Sequence, residues 1–232
     1  MGSAEIHRKA PSLLNMFQVA TYAVLATTTR ILCLHGGGSS EAIMRMQTAK
    51  LRAALRGDAE FDFLEAERLM PQNEVDPRLR ARFGDDASYY NWYSVCYDGA
   101  GDGPLSLDYV DALQSESVQF SYPGAEAAMT RVKDKVCKSG PYSALLGFSQ
   151  GAILITLLTA TMLRHGELPS WRCNICVCGM PVRANEYRHL FDEPLSFPCI
   201  VAQGTDDPFY PWAVRLRDNY LDCDFIEFEV HS

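Results

Sequence analysis

The sequence predicts an α/β protein with an open, doubly wound, mostly parallel sheet and helices on both faces. Three observations predict it. Apolar runs of strand length alternate with segments of helical spacing, the pattern of parallel βαβ units. Two of those runs end in glycine-rich turns, His35-Gly36-Gly37-Gly38 and Gly147-Phe148-Ser149-Gln150-Gly151. No internal repeat or linker divides the 232 residues, a length that suits one domain with a full hydrophobic core.

Residues 1–29 are expected to be an N-terminal extension, unstructured or targeting, ahead of a domain over 30–232. The extension is rich in Ala, Ser and Thr with few acids, as transit peptides are, but it has no secretory-type cleavage site. Ile6 stands where a myristoylation signal needs Ser or Thr. Residues 30–35 form a short buried strand. Residues 41–56 have helical spacing, with Ile43, Met46, Leu51 and Leu55 on one face, and Gly57-Asp58 stops them. Residues 60–65 alternate apolar residues and acids, as a second strand does. Residues 68–105 are rich in Pro, Gly, Asp and Tyr and read as a long excursion over the sheet; ordered excursions of that length are usually functional. Helices are expected over 106–114 and 124–138, a strand over 142–148 and a helix over 150–164. Strands over 173–178 and 199–203, a helix over 211–220 and a strand over 225–230 complete the series.

Composition narrows the function classes. A net charge of −8 with no basic stripe argues against nucleic acid or an anionic membrane as partner. No apolar run approaches the roughly 20 residues that span a bilayer, so stable membrane insertion is not expected. Eight cysteines, mostly inside apolar runs of a long chain, read as reduced, buried thiols rather than a disulfide framework. That places the protein in a reducing compartment, the cytoplasm.

Chemistry concentrates in three turns. Gly147 to Gly151 matches G-x-S-x-G between a strand and a helix, the setting of a nucleophile elbow in the α/β-hydrolase fold. There the turn is too tight for a Cβ beside the serine, so Ser149 projects above the sheet at a helix N-terminus. The glycine loop after the first strand supplies one backbone N–H of an oxyanion hole, near Gly37 or Gly38, and Gln150 supplies the other. The loop lacks the Lys-Ser/Thr of a P-loop, and His35 reads as a brace rather than a base. Gly204-Thr205-Asp206-Asp207-Pro208 follows a late strand, where this fold holds the acid that orients the histidine; Asp207 is the candidate and Asp206 its rival.

Together, Leu34 to Gly38, Gln47-Thr48-Ala49-Lys50-Leu51-Arg52, Glu60-Phe61-Asp62-Phe63, the elbow and the Asp206-Asp207 turn resemble the eukaryotic FSH family of serine hydrolases. The resemblance runs from about residue 30 to the end. It implies hydrolysis of a small-molecule ester or thioester, with Ser149 as nucleophile and Asp207 as acid. Fungal members release polyketide chains, so a carrier-protein-bound acyl chain is among the implied substrates. The family's last strand leads into a His-x-Gly-Gly-His-like segment whose second histidine is the base. Here His231-Ser232 ends the sequence, so the resemblance places the base and the final helix beyond Ser232, with His231 as the substitute candidate. An acyl-protein thioesterase or carboxylesterase relative shares the Gly-Phe-Ser-Gln-Gly elbow, and a non-catalytic binding protein on the same scaffold is the rival from another class.

No cofactor or metal is expected. Cys173, Cys176 and Cys178 lack a second pair of zinc ligands and read as a core strand. Asp98, Asp102 and Asp108 are too irregular for a calcium loop. Tyr89-Tyr90-Asn91-Trp92-Tyr93 either walls an acyl pocket or covers the sheet edge.

Overall fold

The computed structural model describes residues 28–75, 77–84, 86–100 and 108–229. Of the expected extension over 1–29, residues 1–27 lie outside the described residues, as does His231, and Thr29 already belongs to the first strand. β1 (Thr29–Leu34) leads through α1 (Glu41–Gln47) and α2 (Ala49–Ala54) to β2 (Ala59–Leu64). The excursion over 68–105 supplies β3 (Arg68–Leu69), α3 (Pro77–Phe83), β4 (Tyr90–Asn91) and β5 (Cys96–Tyr97), and α4 (Tyr109–Gln114) and β6 (Phe120–Ser121) follow it. Then come α5 (Ala125–Ser139), β7 (Ala144–Phe148), α6 (Gln150–Arg164), β8 (Cys173–Val177), β9 (Cys199–Gly204), α7 (Tyr210–Arg217) and β10 (Cys223–Phe228).

Six strands form one sheet in the order β10-β9-β8-β7-β1-β2, and every neighbouring pair is parallel. Alternation along β1 sends Ile31 and Cys33 to the face that buries Met44 of α1, and Leu32 and Leu34 to the face packed with α5, α6 and α7. α6 is apolar all round and almost wholly buried, as a helix pressed between the sheet and its neighbours must be. β3–β4 and β5–β6 are two small antiparallel pairs lying off the main sheet.

The expected single helix over 41–56 is two. Thr48 closes α1 at φ −87°, ψ 2°, and its hydroxyl donates to the Met44 carbonyl at 2.7 Å. Such back-bonding competes with the helical ladder and bends the chain. The bend changes the buried face: Met44 is buried, whereas Met46, expected inside, is 56% exposed. The thiol expectation also needs correcting. All eight cysteines are free, but only Cys33, Cys176 and Cys199 are buried, while Cys96 and Cys137 are exposed on the excursion and on α5. The excursion is less irregular than its composition suggests, and a 3-10 segment, Asn185–Phe191, that periodicity did not signal packs against α6.

Candidate active site

Ser149 stands between the end of β7 and the start of α6 with φ 49°, ψ −114°. Among the described non-glycine residues only Ser149 and Cys178 have positive φ. The surroundings hold this strained backbone. The Ser149 N–H donates to the Val177 carbonyl of β8 at 2.9 Å, and its own carbonyl accepts from Ala152 at 2.9 Å. Sterics explain the flanking glycines. A Cβ on Gly147 would lie 2.4 Å from the backbone of Gly151 and Ala152; one on Gly151 would lie 2.6 Å from the Leu34 carbonyl oxygen. Gly151 thus lets α6 approach the end of β1.

β1 and β7 are neighbours, and the strand order reverses at β1, which opens a crevice at their carboxyl ends. The His35–Gly38 loop lines one side of it and Ser149 the other. A Cβ on Gly36 would lie 3.4 Å from the Ser149 Cβ. As the first residue of α6, Gln150 has a backbone N–H free of the helical ladder.

Hydrogen bonds from residues 90–93 hold this loop. Ser39 and Tyr90 exchange backbone bonds of 3.3 and 2.7 Å. The Gly38 N–H donates to Asn91 Oδ1 at 2.7 Å, and Trp92 Nε1 donates to the His35 carbonyl at 2.7 Å. The buried Gln150 side chain joins the two parts: its Oε1 accepts from Trp92 N–H at 2.8 Å and its Nε2 donates to the Tyr93 carbonyl at 3.0 Å. The aromatic run thus braces the glycine loop, and its Trp92 and Tyr93 also line a cavity of about 250 Å³ that does not include Ser149. Tyr89 is buried with Ile43 and Val75, and Tyr93 stacks on Tyr122 at 4.8 Å.

His35 is a brace. Its Nε2 accepts the Ala66 N–H at 3.1 Å, so Nδ1 carries the proton and donates to the Gly36 carbonyl at 2.7 Å. Burial pushes its pKa down to about 4, so the 3.0 Å approach of Glu65 Oε1 is not an ion pair near neutrality; burial raises the Glu65 pKa in keeping with that. His165 and His189 line a cavity of about 500 Å³ between α5, α6 and Asn185–Phe191 that does not include Ser149. His165 follows the far end of α6, ~24 Å from Ser149 at ~1.5 Å per residue. No histidine among the described residues is hydrogen-bonded to Ser149.

Asp207 lies in the loop after β9, half-buried, and its Oδ1 accepts the Phe209 N–H at 2.9 Å at the head of α7; Asp206 is exposed. Cys178, at the end of β8 between Ser149 and Asp207, has its thiol against the Asp207 carboxylate. Burial first, and that carboxylate second, raise the thiol to about 12, which keeps it protonated. β10 runs parallel to β9, and the Thr205 N–H donates to the Phe228 carbonyl at 3.1 Å, so the chain leaves β10 at the same edge of the sheet. Sequence reasoning missed Asn91 and Cys178. A polar residue inside an aromatic run was the signal for Asn91; Cys178 left none, because it looks like the end of a core strand.

The profile of a family described as serine hydrolase (FSH1) matches residues 25–231. Dihydromonacolin L-[lovastatin nonaketide synthase] thioesterase of Aspergillus terreus is 30% identical over 150 residues, 65% of this chain and 54% of that protein. The chain thus spans about half the length of that relative. Esterase OVCA2 of Homo sapiens is 30% identical over 188 residues, 78% of each chain. Esterase FUS5 of Gibberella fujikuroi is 33% identical over 193 residues, 82% of this chain and 71% of the other. Among solved structures, esterase PE8 superposes with a TM-score of 0.55 at 20% identity, over 89% of this chain and 85% of its own, which shows the shared α/β-hydrolase fold. With the family profile running over most of its length, the chain belongs to the FSH1 family of serine hydrolases.

Proposed function

We propose that the protein hydrolyses a carboxylic ester or thioester through an acyl-serine intermediate. One observation carries the reading: Ser149 sits in strained backbone at the head of α6, across the β1–β7 crevice from the glycine loop. A base takes the Ser149 proton as Oγ attacks the acyl carbon. The carbonyl electron pair moves onto oxygen, which the Gln150 and Gly37 N–H groups receive. Collapse expels the alcohol or thiol, which takes up the proton from the base. Water repeats the sequence, releasing the carboxylic acid and restoring Ser149. Asp207 orients and stabilises the imidazolium.

In this reading the base comes from outside the described residues, with His231 the candidate, since β10 ends at the sheet edge that carries Ser149 and Asp207. The family match favours this reading over an acyl-protein thioesterase relative, and the relative named as a thioesterase favours testing carrier-bound thioesters beside simple esters. Free thiols in this number suit a cytoplasmic setting. No helix among the described residues is long and apolar enough to cross a membrane.

The test is fluorophosphonate labelling and p-nitrophenyl ester turnover by the 232-residue chain, by a form continued through a Gly-Gly-His segment, and by Ser149→Ala in each. Labelling that vanishes with Ser149→Ala supports the reading, and the form that labels locates the base. If neither folded form reacts, a binding protein on this scaffold becomes the better account.

A further inference from the structure

The expectation from the glycine run left Gly37 and Gly38 equally eligible as the second oxyanion donor. The structure separates them. The Gly38 N–H is engaged by Asn91 Oδ1 at 2.7 Å, while the Gly37 N–H has no partner among the described residues. Of the two ends of a carboxamide only the oxygen accepts from an N–H, so the orientation of the Asn91 side chain follows from the chemistry. A Cβ on Gly37 would lie 3.1 Å from that same Oδ1 and 3.3 Å from Gln150 Oε1, so the two side chains flank the loop at this point.

Both flanking side chains are tied to the excursion and the nucleophile helix. Asn91 belongs to β4, whose neighbour Tyr90 bridges to Ser39 on the far side of Gly38. Gln150 holds Trp92 N–H and the Tyr93 carbonyl. Trp92 in turn holds the His35 carbonyl, before the glycines. The loop is fastened on both sides of Gly37, and Gly38, at φ 60°, is fixed by a side chain alone.

We infer that Asn91 is a positioning residue for the oxyanion hole: by accepting the Gly38 N–H it turns the loop so that the Gly37 N–H, with that of Gln150, faces the acyl oxygen. This rests on the hydrolase reading with Ser149 as nucleophile. Asn91 itself need not touch substrate. Its acceptor sets the peptide orientation of a loop whose donor matters most when charge develops on oxygen, so its loss falls on kcat rather than on KM.

The test uses the form of the protein that labels at Ser149, with Asn91→Ala and Asn91→Asp. Asn91→Ala lowers kcat by about tenfold to a hundredfold per labelled site, with KM within about twofold. Affinity for a trifluoromethyl ketone analogue falls in parallel with kcat/KM. The Gly38 amide, followed by NMR hydrogen exchange, loses protection. Asn91→Asp keeps an acceptor in the same place, so it preserves Gly38 protection, while its charge near the developing oxyanion lowers turnover increasingly as pH rises. A folded Asn91→Ala with unchanged kcat and analogue affinity overturns the inference, as does a Gly38 amide indifferent to both substitutions. A loss that active-site titration ascribes wholly to unfolded protein overturns it too. Turnover retained by Ser149→Ala overturns the hydrolase reading itself, whereas the exchange data still report on the Asn91 hydrogen bond.

Discussion

Acid should weaken this fold through one imidazole. His35 is fully buried at the end of β1, and loss of hydration pushes its pKa from 6.5 down to about 4. In the unfolded chain the ring takes up a proton below about pH 6.5. Between those values the unfolded state binds more protons than the folded one, so stability falls as pH falls. His35 therefore contributes stability that is complete above about pH 6.5 and lost progressively toward about pH 4. At about 1.36 kcal/mol per pH unit, that window is worth about 3 kcal/mol. Glu65 acts in the opposite sense, because its raised pKa favours protonation in the folded state as pH falls. The comparison that isolates His35 is urea unfolding of the wild type and His35→Gln from about pH 7 to about pH 4.5, with the ring titration followed by NMR. The wild type should lose stability with falling pH more steeply than the variant. Parallel profiles, or a His35 ring titrating near its free value, would falsify the reasoning.

Three further predictions concern the site. Asp207→Asn should lower kcat by up to about 10⁴-fold, whereas Asp206→Asn should leave it near wild type; a steady-state assay showing the reverse order moves the acid to Asp206. Gly151→Ala, whose Cβ would meet the Leu34 carbonyl oxygen at 2.6 Å, should destabilise by about 1–3 kcal/mol or more and misplace Ser149; unchanged thermal unfolding and labelling would contradict the steric account. Gln150→Ala keeps the backbone donor but leaves the Trp92 N–H and the Tyr93 carbonyl unpaired, at about 1–3 kcal/mol each, so denaturant unfolding should show a larger loss than any change in KM.

Local patterns carried most of the architecture and the candidates for the site. β1, β7, β8 and β9 are apolar runs of strand length because both of their faces are covered, and α6 is a long apolar helix because it is pressed between neighbours. Ser149 was legible because two glycines at fixed spacing answer a local steric demand. The two-residue strands of the excursion were not, since their pairing partners lie up to 25 residues away, as Cys96 does from Ser121. The break at Thr48 turned on one side-chain hydrogen bond that periodicity does not register.

Which glycine amide remains free was a tertiary matter. Gly37 and Gly38 are chemically identical in the sequence, and only an acceptor 53 residues from Gly38 distinguishes them. The sequence by itself determined the α/β class and the strained turn at Ser149, and it singled out the Asp206-Asp207 turn as a candidate, because each follows from patterns within a few residues. Tertiary structure alone decided that Asp207 rather than Asp206 is half-buried, that Cys178 stands beside it, and that Asn91 and Gln150 clamp the glycine loop. Those outcomes depend on how strand ends and a long excursion are brought together across the sheet, and hydrogen bonds spanning such distances leave no mark in local spacing.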